Sequence, residues 1–154
     1  MAVSEQTIQE AIQDTIQALA AFADDSVVIN DWTILDGSLS GSPFVIIVNA
    51  DEFDSTQDNS AGADNFTIKL WLIESLSNTS WKDAYDNFRD HRQAIITAMK
   101  DGARSPGGAG VDVRRVRSDG PIGFIYPVGI DPEHQPDALP DYVAQYIALE
   151  VEEF

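Results

Sequence analysis

The chain has 154 residues, 44% of them hydrophobic, no cysteine, and a formal net charge of −17. That length and apolar share suit one folded domain with a real core and argue against global disorder. The missing cysteines remove disulfides, thiolate catalysis and zinc–sulfur centres, and the charge opposes a nucleic-acid or anionic-membrane surface.

The charge is unevenly placed. Residues 1–68 hold twelve acids and no Lys or Arg, and residues 118–154 hold eight acids and again no base. All nine bases fall in 69–117, beside six acids. One reading is a solubilising acidic surface; the other is a bipolar subunit whose basic segment meets a neighbour's acids.

In chain order, residues 4–22 read as a helix. Ile8, Ile12, Ile16, Leu19 and Phe22 recur at spacings of three and four, with Ser4 as a candidate N-cap. The polar residues interleaved here leave no continuous apolar run after a basic start, so no secretory signal is expected. The sequons at Asn65 and Asn78 are then read as chance. No stretch reaches the ~18 apolar residues of a membrane span.

Val27-Val28-Ile29 starts a strand, continued irregularly by Trp32, Ile34 and Leu35, and Asp36-Gly37 signals a turn. PFVIIVNA at 43–50 is a β-branched run expected to form a buried strand. The acidic stretch 51–64 is expected to be a long mobile loop. Residues 65–76 read as a strand with Phe66, Ile68, Leu70 and Leu72 on one face and Thr67, Lys69, Trp71 and Ile73 on the other.

Residues 80–101 read as the second helix. Trp81, Tyr85, Phe88, Arg92, Ile95 and Met99 form its stripe, Ser80 is its candidate N-cap, and Gly102 its stop. A mobile loop is expected at 102–110, a strand at 111–117, a turn at SDGP, and a strand at 122–130 with Pro127 at an edge or bulge. A third mobile loop at 131–141 precedes a last strand at 142–153. There Val143, Ile147, Leu149 and Val151 oppose Tyr142, Tyr146 and Glu150. Two separated helices among strands point to an α+β fold: one domain, 1–154, with a mostly antiparallel sheet of about five to six strands and both helices on one face. Trp71 and Trp81 are read as core; Trp32 and Phe124-Ile125-Tyr126 fit core or interface.

Tests for chemistry give little. His91, beside Asp90 and Arg92, reads as a solvated helix position, and His134 lies in a proline-rich loop. Neither has a ligand-spaced or triad partner in sequence. Asp51, Glu52, Asp54, Asp58 and Asp64 lack an EF-hand frame and read as a solvated loop. Ser105-Pro-Gly-Gly-Ala-Gly has no following Lys-Ser/Thr for phosphate. No catalytic residue, cofactor site or metal site is assigned. The one basic cluster is Arg104, Arg114, Arg115 and Arg117. It fits either an exposed strand pairing with Asp112 and Asp119 or a contact between subunits.

The amphipathic N-terminal helix, the strand Pro43–Val48, the acidic loop, the alternating strand Asn65–Ile73, the aromatic helix and the closing Tyr146–Val151 together resemble the tail terminator (tail-completion) proteins of long-tailed bacteriophages and their neck-protein relatives. The resemblance implies a non-enzymatic virion protein, assembled in the host cytoplasm as a hexameric ring. Its partners would be its own copies, the tail tube protein, and a head-side connector or neck protein. DNA would pass an acidic lumen without binding specifically, and no membrane would be involved. A ring of identical subunits needs two different complementary patches. Arg104, Arg114, Arg115 and Arg117 are expected on one, and Asp51, Glu52, Asp54 and Asp58 on the other. Two further readings remain: a small acidic binding module, able to be a dimer, with a cleft between sheet and helices, and a hydrolase or isomerase using Asp or Glu with His134.

Overall fold

A computed structural model describes residues 5–22, 24–30, 43–54, 65–76, 81–101, 111–126, 129–131, 133–137 and 139–153. The elements run α1 (Glu5–Gln17), a short 3-10 turn (Asp24–Ser26), β1 (Val27–Ile29), β2 (Phe44–Asp54), β3 (Asn65–Ser75), α2 (Trp81–Asp101), β4 (Val111–Ile125) and β5 (Tyr142–Glu153). The expected Ser4 and Ser80 caps, the Trp32, Ile34 and Leu35 extension, the Asp36-Gly37 turn, the Gly102 stop, Pro127 and the loop 102–110 lie outside the described residues.

The five strands form one sheet in the order β1-β2-β3-β5-β4. β1 pairs with β2 in parallel, and the other three pairings are antiparallel. The fold is therefore α+β with a mostly antiparallel sheet.

Alternation along the strands sorts side chains onto two faces. Val45 and Ile47 of β2, Ile68, Leu70 and Leu72 of β3, and Val143, Ile147, Leu149 and Val151 of β5 share one buried cluster. That cluster also takes Ile8, Ile12 and Ile16 from α1 and Ala84, Phe88, Ile95 and Met99 from α2. Both helices thus lie on one face. On the other face Ile46, Ile73 and Ala144 are buried, with Phe44, Val48, Trp71, Ile125 and Tyr142 packed around them. Trp71, expected in the core, is half-buried on this second face and stacks on Tyr146, ring centroids 5.8 Å apart. Strand alternation sets it opposite Leu70 and Leu72, so its size does not carry it into the helix layer.

α1 stops at Gln17, short of the expected Phe22. Past that point the amide bonds shorten their reach: Leu19 N–H donates to Ile16 O and Phe22 N–H to Leu19 O, each spanning three residues. Acidic Asp24 and Asp25 follow, the wrong sign for a helix C-terminus. Phe22 still reaches the main cluster at 3% exposure, which explains the apolar spacing. Two amides pin α1 to the sheet: Gln13 donates to Val27 O at 2.8 Å and Gln9 to Val48 O at 3.2 Å.

Three boundaries differ from expectation for one reason, pairing between distant segments. Residues 51–54 continue β2: Glu52 faces Thr67 and Asp54 faces Asn65, beyond an irregularity after Val48. The remaining loop residues 55–64 lie outside the described residues. Residues 118–121 do not separate two strands. β4 runs through them, pairing Asp119 with Tyr146 and resuming at Gly123 with Ala144. Gly120 takes φ 77°, a conformation favouring glycine, and its carbonyl accepts a bond from Gln145 Nε2 at 2.9 Å. Pro121, lacking an N–H, is tolerated because β4 is an edge strand. The strand then ends at Ile125, not 130, and Asp141 N–H donates to the Ile125 carbonyl.

Candidate subunit interface

β5, last in sequence, inserts between β3 and β4 and leaves β4 on the sheet's rim. The register assigns its cations to a face. Val113 opposes Val151 and Arg115 opposes Glu150, so Arg114 is the extra residue of a bulge. The bulge lets Val113 and Val116, three apart, both meet the main core. Arg115, Arg117 and Asp119 then alternate on the face away from the helices, opposite Glu150, Ala148 and Tyr146.

The two arginines differ in what they touch. Arg117 donates from Nη1 to Asp119 Oδ1 at 3.0 Å, and its Nε lies 4.0 Å from Glu150 Oε1. Lys69 of β3 reaches the other Asp119 oxygen at 3.3 Å and lies over the Tyr146 ring, 5.8 Å from its centroid. Asp119 is thereby clamped between two cations across three strands. The Lys69 hydrogen bond first, and the Arg117 one next, hold its carboxyl below the usual range. Arg115 is exposed and makes no ion pair among the described residues. Arg117 thus serves the fold, and Arg115 keeps its charge for solvent or a partner. Arg104 and Asp58 lie outside the described residues. Arg114, Asp51, Glu52 and Asp54 are placed on strands, at the β4 bulge and at the end of β2.

The same edge carries apolar surface. Phe124, 39% exposed, faces the helix layer and meets Tyr85 edge-on at 6.3 Å. Leu139, 68% exposed, stands two residues before Asp141, which is bonded to the end of β4.

At the opposite rim the chemistry reverses. α1 packs on β1 and β2. It carries Glu5, Glu10 and Asp14, and the turn before β1 adds Asp24 and Asp25, with no base among residues 5–30. Glu10, Asp14 and Asp25 are exposed. Four strand spacings, about 19 Å, separate β1 from β4. The strand order sets the arginines of β4, of which Arg115 is exposed, and the acids beside β1 at opposite rims of the sheet.

The histidines fall elsewhere. His91, expected in solvent, is half-buried: its Nδ1 lies 2.9 Å from Oε2 of Glu74, a ring N–H donating to the carboxylate. Glu74 is 5% exposed, and the His91 ring meets Phe22 edge-on at 5.8 Å. The next residue, Arg92, donates from Nη1 to Gln145 Oε1 at 2.6 Å. These contacts bolt α2 to β3 and β5. Sequence reasoning missed the pair, although one signal was present: Glu74 continues the Leu70 and Leu72 face of its strand, where an acid needs a buried partner. His134 sits on an exposed turn, 2.6 Å from Asp131 Oδ2, and Asp131 also accepts the Glu133 amide. No group of three or more potential metal ligands converges among the described residues. No described helix is long and apolar enough to cross a membrane.

A shallow groove of about 470 Å³ runs along α2, lined by Leu19, Asp90, Gln93, Ala94, Thr97 and Ala98. It lies beside the turn after α1, not between helices and sheet. No protein-family model matches the chain, and no curated protein matches it either.

Proposed function

We propose that this chain is a structural virion protein, a ring-forming subunit that terminates the tail tube of a long-tailed bacteriophage and joins it to the head-side connector. The observation that carries this reading is the pair of charge poles at opposite rims of one sheet: Arg115 on β4, and the acids Glu10, Asp14 and Asp25 beside β1. Poles so placed suit a head-to-tail contact, in which each copy offers one rim and accepts the other. Repeated rotation about an axis closes such contacts into a ring, and a ring is what a tube end requires. The charge of −17 serves the same end, because a lumen lined by acids would let DNA pass without adhering. The hexameric count, the tube and the connector as partners come from the resemblance in element order.

Negative-stain electron microscopy of the purified protein mixed with tail tubes tests the proposal. Density at one end of each tube is expected, with tubes that no longer elongate when more tube protein is added. Bare tube ends at saturating protein would reject it.

A further inference from the structure

We infer that the β4 rim of one copy seats against the α1 rim of the next, with Arg115 facing Glu10, Asp14 and Asp25 and Phe124 lying in the buried part of the contact. The inference rests on the ring reading above and replaces the acids of 51–64 with α1 as the partner surface.

The β4 rim carries features on both faces of the sheet, Arg115 away from the helices and Phe124 toward them. It holds an exposed cation, Arg115, while its neighbour Arg117 is already engaged with Asp119 and Glu150. It also holds a large exposed aromatic, Phe124, with Leu139 near the same strand end. Arginine and aromatic residues are enriched at the cores of protein contacts, where a desolvated aromatic supplies most of the affinity and charge sets orientation. The register gives the length of the rim: Arg115 and Phe124 oppose Glu150 and Val143, seven residues apart on β5, about 23 Å along the strand. α1 spans 13 residues, about 20 Å of helix. The two elements are of similar length, and the exposed Arg115 is opposite in sign to Glu10, Asp14 and Asp25.

The occupant is a second copy of this chain because the complementary surface is on the chain itself. Glu10, Asp14 and Asp25 are exposed, they stand without a base among residues 5–30, and they sit at the far rim. One subunit cannot bring its own two rims together, since the width of the sheet separates them. Only a neighbour can join them.

The experiment is a charge swap on the full chain, read by light scattering at a concentration where the wild type assembles, with circular dichroism confirming that each variant folds. Arg115→Glu is expected to lower the assembled fraction at least tenfold, and so is the double variant Glu10→Arg with Asp14→Arg. Combining all three changes is expected to restore assembly, because the poles are then exchanged. Phe124→Ser is expected to weaken assembly without any rescue by the charge changes. If both single-sided variants assemble like the wild type, this contact is overturned while a ring that caps tubes still stands. If both fail and the combination does not recover, the pairing of these two rims is overturned. A wild type that stays monomeric and leaves tube ends bare overturns this contact and the ring together.

Discussion

Phe88→Ala is expected to lower the unfolding free energy by about 3–5 kcal/mol, the usual cost of emptying a fully buried aromatic site. Phe88 is 0% exposed and is among the largest side chains so enclosed. It lies in the cluster that joins α2 to α1 and to all five strands. The cavity left behind is lined by strands already committed to their register and by a second helix, so collapse around it is restricted. For a chain of this size the loss corresponds to a fall of roughly 10 °C in melting temperature. Urea unfolding followed by circular dichroism measures it. A loss below about 1 kcal/mol would mean that α2 is not seated on the sheet as described.

His91→Ala is the second large effect, expected at about 1–3 kcal/mol. The mechanism is not lost packing alone. Glu74 is 5% exposed, and its described partner is the ring of His91 at 2.9 Å. Removing the ring strands a carboxylate where water reaches it poorly, and an uncompensated buried charge costs more than the pair contributes. The effect is discounted because the His91 side chain is itself 21% exposed, so some water can replace it. The double change Glu74→Leu with His91→Ala is therefore expected to recover part of the loss. Equal stability of the single and double variants would show that the carboxylate was never the problem. The comparison is made by denaturant unfolding of both proteins at neutral pH.

These two residues also mark where the sequence could and could not be read. The face of α1 at Ile8, Ile12 and Ile16 was legible, because helix period alone assigns it. So was the two-faced β5, with Val143, Ile147, Leu149 and Val151 inward. A mostly antiparallel sheet of about five to six strands, with both helices on one face, was expected from those patterns and from the scarcity of helices; the sheet has five. The role of His91 was not legible. Its sequence neighbours Asp90 and Arg92 are charged, and its partner Glu74 belongs to another element 17 residues away. Gly120-Pro121 is turn chemistry in either case; only the register with β5 decides that it bends one long strand instead of ending it. Asp51 to Asp54 look like loop for the same reason, their strand character coming from Asn65 to Thr67 across the ladder.

The candidate interface divides along the same line. That the arginines cluster was plain from composition. That Arg115 and Phe124 share a rim, and that α1 holds the opposite rim, depends on β5 entering between β3 and β4. Strand order is a long-range property, and no local pattern encodes it. Nor could sequence distinguish Arg117, held by Asp119 and Glu150, from Arg115, which is exposed two residues earlier.

The central claim is that opposite charges on opposite rims draw copies of this chain into a closed assembly. Native mass measurement of the wild-type protein across a salt series tests it most directly. A fixed multiple of 16.8 kDa at low salt, giving way to smaller species as screening shortens the reach of charge, is the predicted result. A mass of one chain at every salt and protein concentration would contradict it.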